Sequence, residues 1–277
     1  MARFTQWAAR MSLMLVVVAI GTVGAARNGF AGAAPAGTTS EGPAVPIGQG
    51  TARVLVRTDA AGIPLALAVT LSRDALTGLP TALNPANAEG QWEYALPMPA
   101  GVGKTGYQAV VVDWQPHGHP PPQVYTVPHF DFHFYMINAA EMAQVAFTGP
   151  TDPATTVADR TLVPAGYDVI RETAVDKMGV HAIDASGPEF HGTPFTATFI
   201  YGYYRGRLTF LEPMVAHAFF LTQPNVTWPV KTPARYSFPG YYPTRYSVRY
   251  DAHQSAYLVE LGGLKPSDGA VTAQRTR

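Results

Sequence analysis

The stretch His129-Phe130-Asp131-Phe132-His133-Phe134-Tyr135-Met136 alternates between two kinds of side chain. Along a β-strand successive side chains point to opposite faces, so residues two apart share a side. Phe130, Phe132, Phe134 and Met136 then make one apolar face, and His129, Asp131, His133 and Tyr135 make the other. The apolar face demands a core beneath it, which places this strand in a layered β fold. The opposite face carries three metal-competent groups in a row, and any function has to account for them.

Other short runs rich in Val, Leu, Ile and Tyr lie on either side, bounded by Gly, Pro or Asn. They predict strands over Ala52–Arg57, Leu65–Ser72, Trp92–Leu96 and Gln108–Trp114, with the central strand running over Tyr125–Ile137. Asn138 with Glu141 three residues on predicts a capped helix, stopped by Gly149-Pro150. Phe195–Tyr204 and Arg207–Glu212 read as a hairpin turning at Arg205-Gly206, and further strands are expected at Ala216–Thr222, Tyr246–Tyr250 and Tyr257–Leu261. The fold class is mainly β: an antiparallel β-barrel or sandwich with one or two short helices.

The ends of the chain read differently. Arg3 and Arg10 precede an apolar run from Met11 to Val23 and the small residues Gly24-Ala25-Ala26, the order of a secretory signal peptide over residues 1–26. An uncleaved anchor is the alternative, although the run is short for a membrane span. Residues 27–50 are mostly small or polar and read as a flexible linker, residues 51–264 as the β-rich domain, and residues 265–277 as a disordered tail. The expected location is periplasmic or extracellular, with no stable membrane span once the leader is removed.

There is no cysteine in the 277 residues, which excludes disulfides, thiolate metal ligands and a lipoprotein anchor. A formal net charge of +0 argues against a nucleic-acid partner, whose phosphates call for a basic face. A small-molecule ligand and a homo-oligomer both stay open.

Metal chemistry is the leading reading of the polar face. Same-face neighbours on a strand are roughly 6.5–7 Å apart at Cα, and zinc–imidazole bonds are about 2.0–2.1 Å. His129 and His133, two such steps apart, need curvature or partners from elsewhere to meet one ion. His117 and His119 precede the strand, and His181, Glu189 and His191 follow it. Glu212 closes the predicted hairpin. With a two-residue loop it pairs with Phe199 and shares a face with Tyr201 and Tyr203, where a lone carboxylate is costly; a three-residue loop moves it to the other face and weakens its case as a ligand.

Pro128-His129-Phe130-Asp131-Phe132-His133-Phe134-Tyr135, with Gly118-His119-Pro120 upstream, resembles the signature of an uncharacterised family of exported bacterial proteins, a domain of unknown function with a Thermus representative. Met178-Gly179-Val180-His181, Pro188-Glu189, Phe199-Ile200-Tyr201-Gly202 and Phe210-Leu211-Glu212-Pro213-Met214 are similar to its weaker motifs, so the resemblance spans residues 51–264. It implies a β-rich exported domain in which His119, His129, Asp131, His133, His181, Glu189 and Glu212 belong to one site, with His117 and His191 outside it. It carries no activity.

The expected metal ligands are therefore His129, His133, His181 and Glu212, with His119, Asp131 and Glu189 as additional site residues. The cofactor is a divalent transition metal: zinc, iron, copper, nickel or manganese. A metal-free binding or assembly module, with Tyr201, Tyr203, Tyr204, Tyr241 and Tyr242 lining a pocket or interface, is the second reading. A metal-independent hydrolase is the third, weakened because there is no Gly-x-Ser-x-Gly elbow. Whether the protein is an enzyme is left open.

Overall fold

The structure, a computed structural model, describes residues 37–101 and 105–269. The predicted signal peptide, residues 27–36 of the predicted linker and residues 270–277 of the predicted tail lie outside the described residues. Among those described, no helix is long and apolar enough to cross a membrane.

The strands in chain order are β1 (Thr38–Glu41), β2 (Val45–Ile47), β3 (Gly50–Thr58), β4 (Pro64–Ser72), β5 (Trp92–Leu96), β6 (Ala109–Gln115), β7 (His129–Tyr135) and β8 (Tyr167–Val175). Then come β9 (Gly179–Asp184), β10 (Ala197–Tyr204), β11 (Arg207–Ala216), β12 (Asn225–Pro229), β13 (Gly240–Tyr242), β14 (Arg245–Asp251), β15 (Ala256–Gly262) and β16 (Lys265–Ser267). One sheet runs β1-β3-β4-β15-β14-β12, with β2 also on β3. The second runs β5-β6-β7-β11-β10-β9-β8, and β13 pairs with β16. Both large sheets are open and antiparallel, so the expected barrel-or-sandwich class resolves as a sandwich-like fold.

The apolar face of β7 points between the sheets. Phe130 packs against Trp114 and Phe220, and Phe132 against Phe220, whose ring in turn meets Tyr257 of the first sheet. Phe199 of β10 likewise meets Tyr246 of β14. Phe130, Phe132 and Phe134 are each fully buried, and burial of such a side chain stabilises by about 1.5–3 kcal/mol.

Several expectations need correction. Residues 37–50 are not a loose linker, because β1 and β2 both pair with β3, and Ile47 enters the core. Similarly Lys265–Ser267 of the expected tail is a strand on β13. For Thr38–Glu41 and Lys265–Ser267 backbone pairing supplies the order that apolar side chains do not. The central strand begins at His129 rather than Tyr125, since Pro128 and the folded loop before it interrupt pairing. The helix after Asn138 has its capping box but spans only Ala139–Met142 (α1), with none of its residues buried to hold a longer element. Where a strand was expected at Ala216–Thr222, the chain forms a helical turn, His217–Phe220 (α2), and Ala216 ends β11. Tyr201 and Tyr203 lie in the core, donating to the carbonyls of Lys231 and Leu162.

The hairpin β10–β11 decides the placement of Glu212. Tyr204 pairs with Arg207 and Tyr203 with Leu208, as a two-residue turn requires, but a bulge then sets Gly202 opposite Phe210 and Ile200 opposite Glu212. The extra residue moves every later side chain of β11 to the other face. Glu212 therefore leaves the face of Phe199, Tyr201 and Tyr203 and joins that of His133. Gly202 is required here, because a Cβ on it would lie 2.1 Å from the Phe210 ring.

Candidate functional site

The outer face of the second sheet is buried too. His129, Asp131 and His133 are at most 2 % exposed, as are Asp113 and Glu212. Two small apolar clusters bracket this polar band. Tyr125, Phe195, Ile200, Met214 and Ala216 pack at the His129 end, and Tyr135, Ile137, Val145, Met178 and Phe210 at the other. The band is thus shielded from water, and its polar atoms must find partners within it.

Across the sheet, Gln115 faces His129, Asp113 faces Asp131 and Val111 faces His133. From β11, Met214 faces Asp131 and Leu211 faces Phe134, which sets Glu212 beside His133. Like charges directly opposite repel, and two amides relieve the Asp113–Asp131 pair. Gln91 donates to Asp113 at 3.1 Å, and Gln115 donates to Asp131 at 3.1 Å and to the Gln91 carbonyl at 2.9 Å.

His119, His129 and Asp131 form one group of metal-competent side chains, and His133, His181 and Glu212 a second. Within each, one ligand atom per residue lies within 4.8 Å of the others, a spacing at which an ion can be held. In the first, His129 Nε2 is 3.1 Å from Asp131 Oδ1 and His119 Nε2 is 3.8 Å from Asp131 Oδ2. In the second, His133 Nε2 is 3.6 Å from Glu212 Oε1 and His181 Nε2 is 3.8 Å from Glu212 Oε2.

Each ring is held from behind. The Nδ1 atoms of His119, His129 and His181 meet the carbonyls of Pro120, Val127 and Thr173 at 2.8, 2.7 and 2.6 Å. A carbonyl only accepts, so each Nδ1 carries a hydrogen and each ring turns its Nε2 inward. His133 differs in that its Nδ1 faces the Asp113 carboxylate at 3.1 Å. The inward atoms do not satisfy one another. His129 Nε2, Asp131 Oδ1, His133 Nε2 and Glu212 Oε2 are buried without an aligned hydrogen bond.

Local structure explains how the outlying histidines arrive. Gly118 adopts φ +69°, and a Cβ there would lie 2.0 Å from the Tyr125 carbonyl. This close approach folds the proline loop back on itself and stacks the His119 ring edge-on against His129, 4.7 Å between centroids. A register shift between Ile170 and Val175 lets Thr173 accept from the His181 backbone N–H as well as its ring. Phe210 stands edge-on to both His133 and His181, at 4.8 and 5.3 Å.

Burial and neighbouring charge set the titration of these groups. Burial lifts Glu212 to about 8, against the pull of His133 and with Asp131 and Asp113 adding repulsion. For His133 burial acts downward, but Glu212 and Asp113 outweigh it and raise it to about 9. Burial lifts Asp113 to about 6 even though His133 opposes it. His181 falls to about 4, chiefly through burial, and burial lowers His119 as well. Burial also disfavours the charged forms of His129 and Asp131, yet their mutual attraction prevails, raising the histidine and lowering the aspartate.

Of the four ligands expected from sequence, the structure brings His133, His181 and Glu212 together. It sets His129 apart from them, with His119 and Asp131. Glu189 joins neither group. It is buried in the turn Pro188–His191 and accepts from the Tyr125 hydroxyl at 3.2 Å. His117 and His191 bond to the carbonyls of Thr81 and Ala185, away from both groups. Asp113, Gln91 and Gln115 went unrecognised, although a carboxylate inside the run Val110-Val111-Val112-Asp113-Trp114 was a visible anomaly in an apolar strand.

Two kinds of comparison with known proteins returned nothing: no curated protein and no solved structure matches this chain. A family described as TTHB210-like, Hypothetical protein TTHB210, matches residues 59–114, the segment that holds β4, β5 and Asp113 but not the histidine strand, and this similarity supports a Thermus-type family of uncharacterised proteins.

Proposed function

We propose that this chain is an exported metal-binding protein whose centre is the buried His/carboxylate band of the second sheet. The observation that carries it is the orientation of the rings. Three histidines spend their Nδ1–H on backbone carbonyls and one faces a carboxylate, so every Nε2 turns toward Asp131 or Glu212. A lone pair 3.1 Å from a buried carboxylate oxygen is repulsive, and a proton on the ring or a metal cation held between the two atoms relieves it. Backbone carbonyls and carboxylates behind ligating histidines are the usual means of fixing tautomer and ring direction. Export rests on the N-terminal leader pattern.

Imidazole and carboxylate donors without sulfur suit zinc, iron, copper, nickel or manganese. An ion with an open position activates water or polarises a carbonyl. A groove of about 540 Å³ beside the His129 end, lined by Val127, Glu189, Phe195 and His217, offers room for a small-molecule partner. Elemental analysis of the untagged protein purified without chelator tests the reading, with at least one transition metal per chain expected. A content well below one, with no affinity on titration, sinks it.

A further inference from the structure

We infer that the centre is dinuclear: His119, His129 and Asp131 hold one divalent cation, and His133, His181 and Glu212 hold a second. This rests on the metal-binding reading above and adds the number and the independence of the ions. Metal–donor bonds are about 2.0–2.2 Å, so two donors on one ion are separated by at most about 4.4 Å. The six donors gather into two groups, each with its ligand atoms within 4.8 Å of one another, so that a small inward shift of the side chains brings each set to bonding distance of its own ion. The two groups share no residue, and Asp131 and His133, alternate residues of β7, each belong to a different one.

Each group is complete on its own terms. Both consist of two imidazoles and one carboxylate, a donor set that holds zinc or Fe(II) and leaves positions open. Each also has its own buried unsatisfied pair, His129 Nε2 with Asp131 Oδ1 in the first and His133 Nε2 with Glu212 Oε2 in the second. One cation cannot relieve both. Each group reaches toward solvent through a different histidine, the His119 side chain being 33 % exposed and that of His181 14 %. Behind the donors, the chain Asp113–Gln91–Gln115–Asp131 braces the carboxylate of the first group and the Nδ1 side of His133 in the second.

The test uses the full chain, stripped with chelator and titrated with Zn²⁺ or Co²⁺ alone. Two ions per chain after desalting are expected, with Co²⁺ d–d absorption growing to two equivalents. Saturation at one equivalent overturns the dinuclear inference and leaves the metal-binding reading standing, whereas no binding removes both. His129→Ala and His181→Ala are each expected to retain one ion. A folded variant of either kind that binds none shows a single shared centre and overturns the inference. Because the Co²⁺ titration needs no substitution, the question is decided even where a variant fails to fold.

Discussion

Glu212 and His133 lie side by side on the buried outer face of the second sheet, with Oε1 3.6 Å from Nε2, because a bulge in the neighbouring hairpin turned the glutamate to that face. The pair joins two elements far apart in sequence and sits where neither group can be hydrated. Its proton content is therefore coupled to whatever else occupies the site.

Zinc loading at pH 7 should release protons. His133 is raised to about 9 and Glu212 to about 8, so with no cation present the pair retains protons at neutral pH that its unfolded counterparts, titrating at their ordinary values, hold less strongly. Metal ligation requires the deprotonated forms. Calorimetric titrations in buffers of different ionisation enthalpy should give about one to two protons released per chain at pH 7. The release should shrink as pH rises through 8 to 9, and a buffer-independent heat would contradict it.

The same shifts fix a sign for stability. Groups whose folded pKa is raised stabilise below the unfolded value and lose that contribution as pH rises through the folded value. In the metal-free protein that loss runs from pH 4.5 to about 8 for Glu212 and from pH 6.5 to about 9 for His133, a combined window of pH 4.5 to about 9. Urea midpoints of chelator-treated protein should decline across this window and recover with excess zinc. At a free zinc concentration of ~100 times Kd the gain is about 2.7 kcal/mol for one site.

Asp113→Asn should weaken metal binding without unfolding the protein. The amide keeps the shape but loses the charge that faces His133 Nδ1, and such changes behind a ligand typically cost about 10–100-fold in affinity. Competition with a chromophoric chelator measures it. An unchanged Kd would show that Asp113 does not brace the centre.

Gly202→Ala should destabilise by about 1–3 kcal/mol through overpacking, since its Cβ would lie 2.1 Å from the Phe210 ring. Phe210 stands between His133 and His181, so metal affinity should fall as well. Denaturant unfolding and chelator competition on the same sample separate the two effects. Wild-type values in both would mean that the ring moves freely aside.

Phe132→Leu provides the contrast. Its side chain is fully buried on the core face of β7 and meets Phe220, away from the donors. Stability should fall by about 1–2 kcal/mol, with metal content unchanged in the folded protein. Metal loss without a stability loss would reverse the assignment of faces.

The two faces of β7 were legible in the sequence, since alternation along a strand depends on the backbone alone. The same holds for the capping box at Asn138 and Glu141, where every partner is within three residues. The paired strands at Thr38–Glu41 and Lys265–Ser267 were hidden, because their order comes from backbone pairing with distant segments while their side chains look like linker. The length of the helix was misread for a related reason: a good cap starts a helix, but only packing extends it.

For the site, the sequence by itself determined which groups are chemically able to serve: His119, His129, Asp131, His133, His181 and Glu212 were all singled out. It also indicated that His129 and His133, four residues apart on an extended chain, would need partners from elsewhere. Only the tertiary structure decided the partners and the grouping. A single inserted residue in β11, accommodated by the absent side chain of Gly202, sets the face of Glu212. The folded proline loop brings His119 to His129, and the irregular β8–β9 pairing orients His181. A bulge changes register by one residue for little local energy, and register inverts every side chain beyond it, so composition and periodicity carry no record of the outcome.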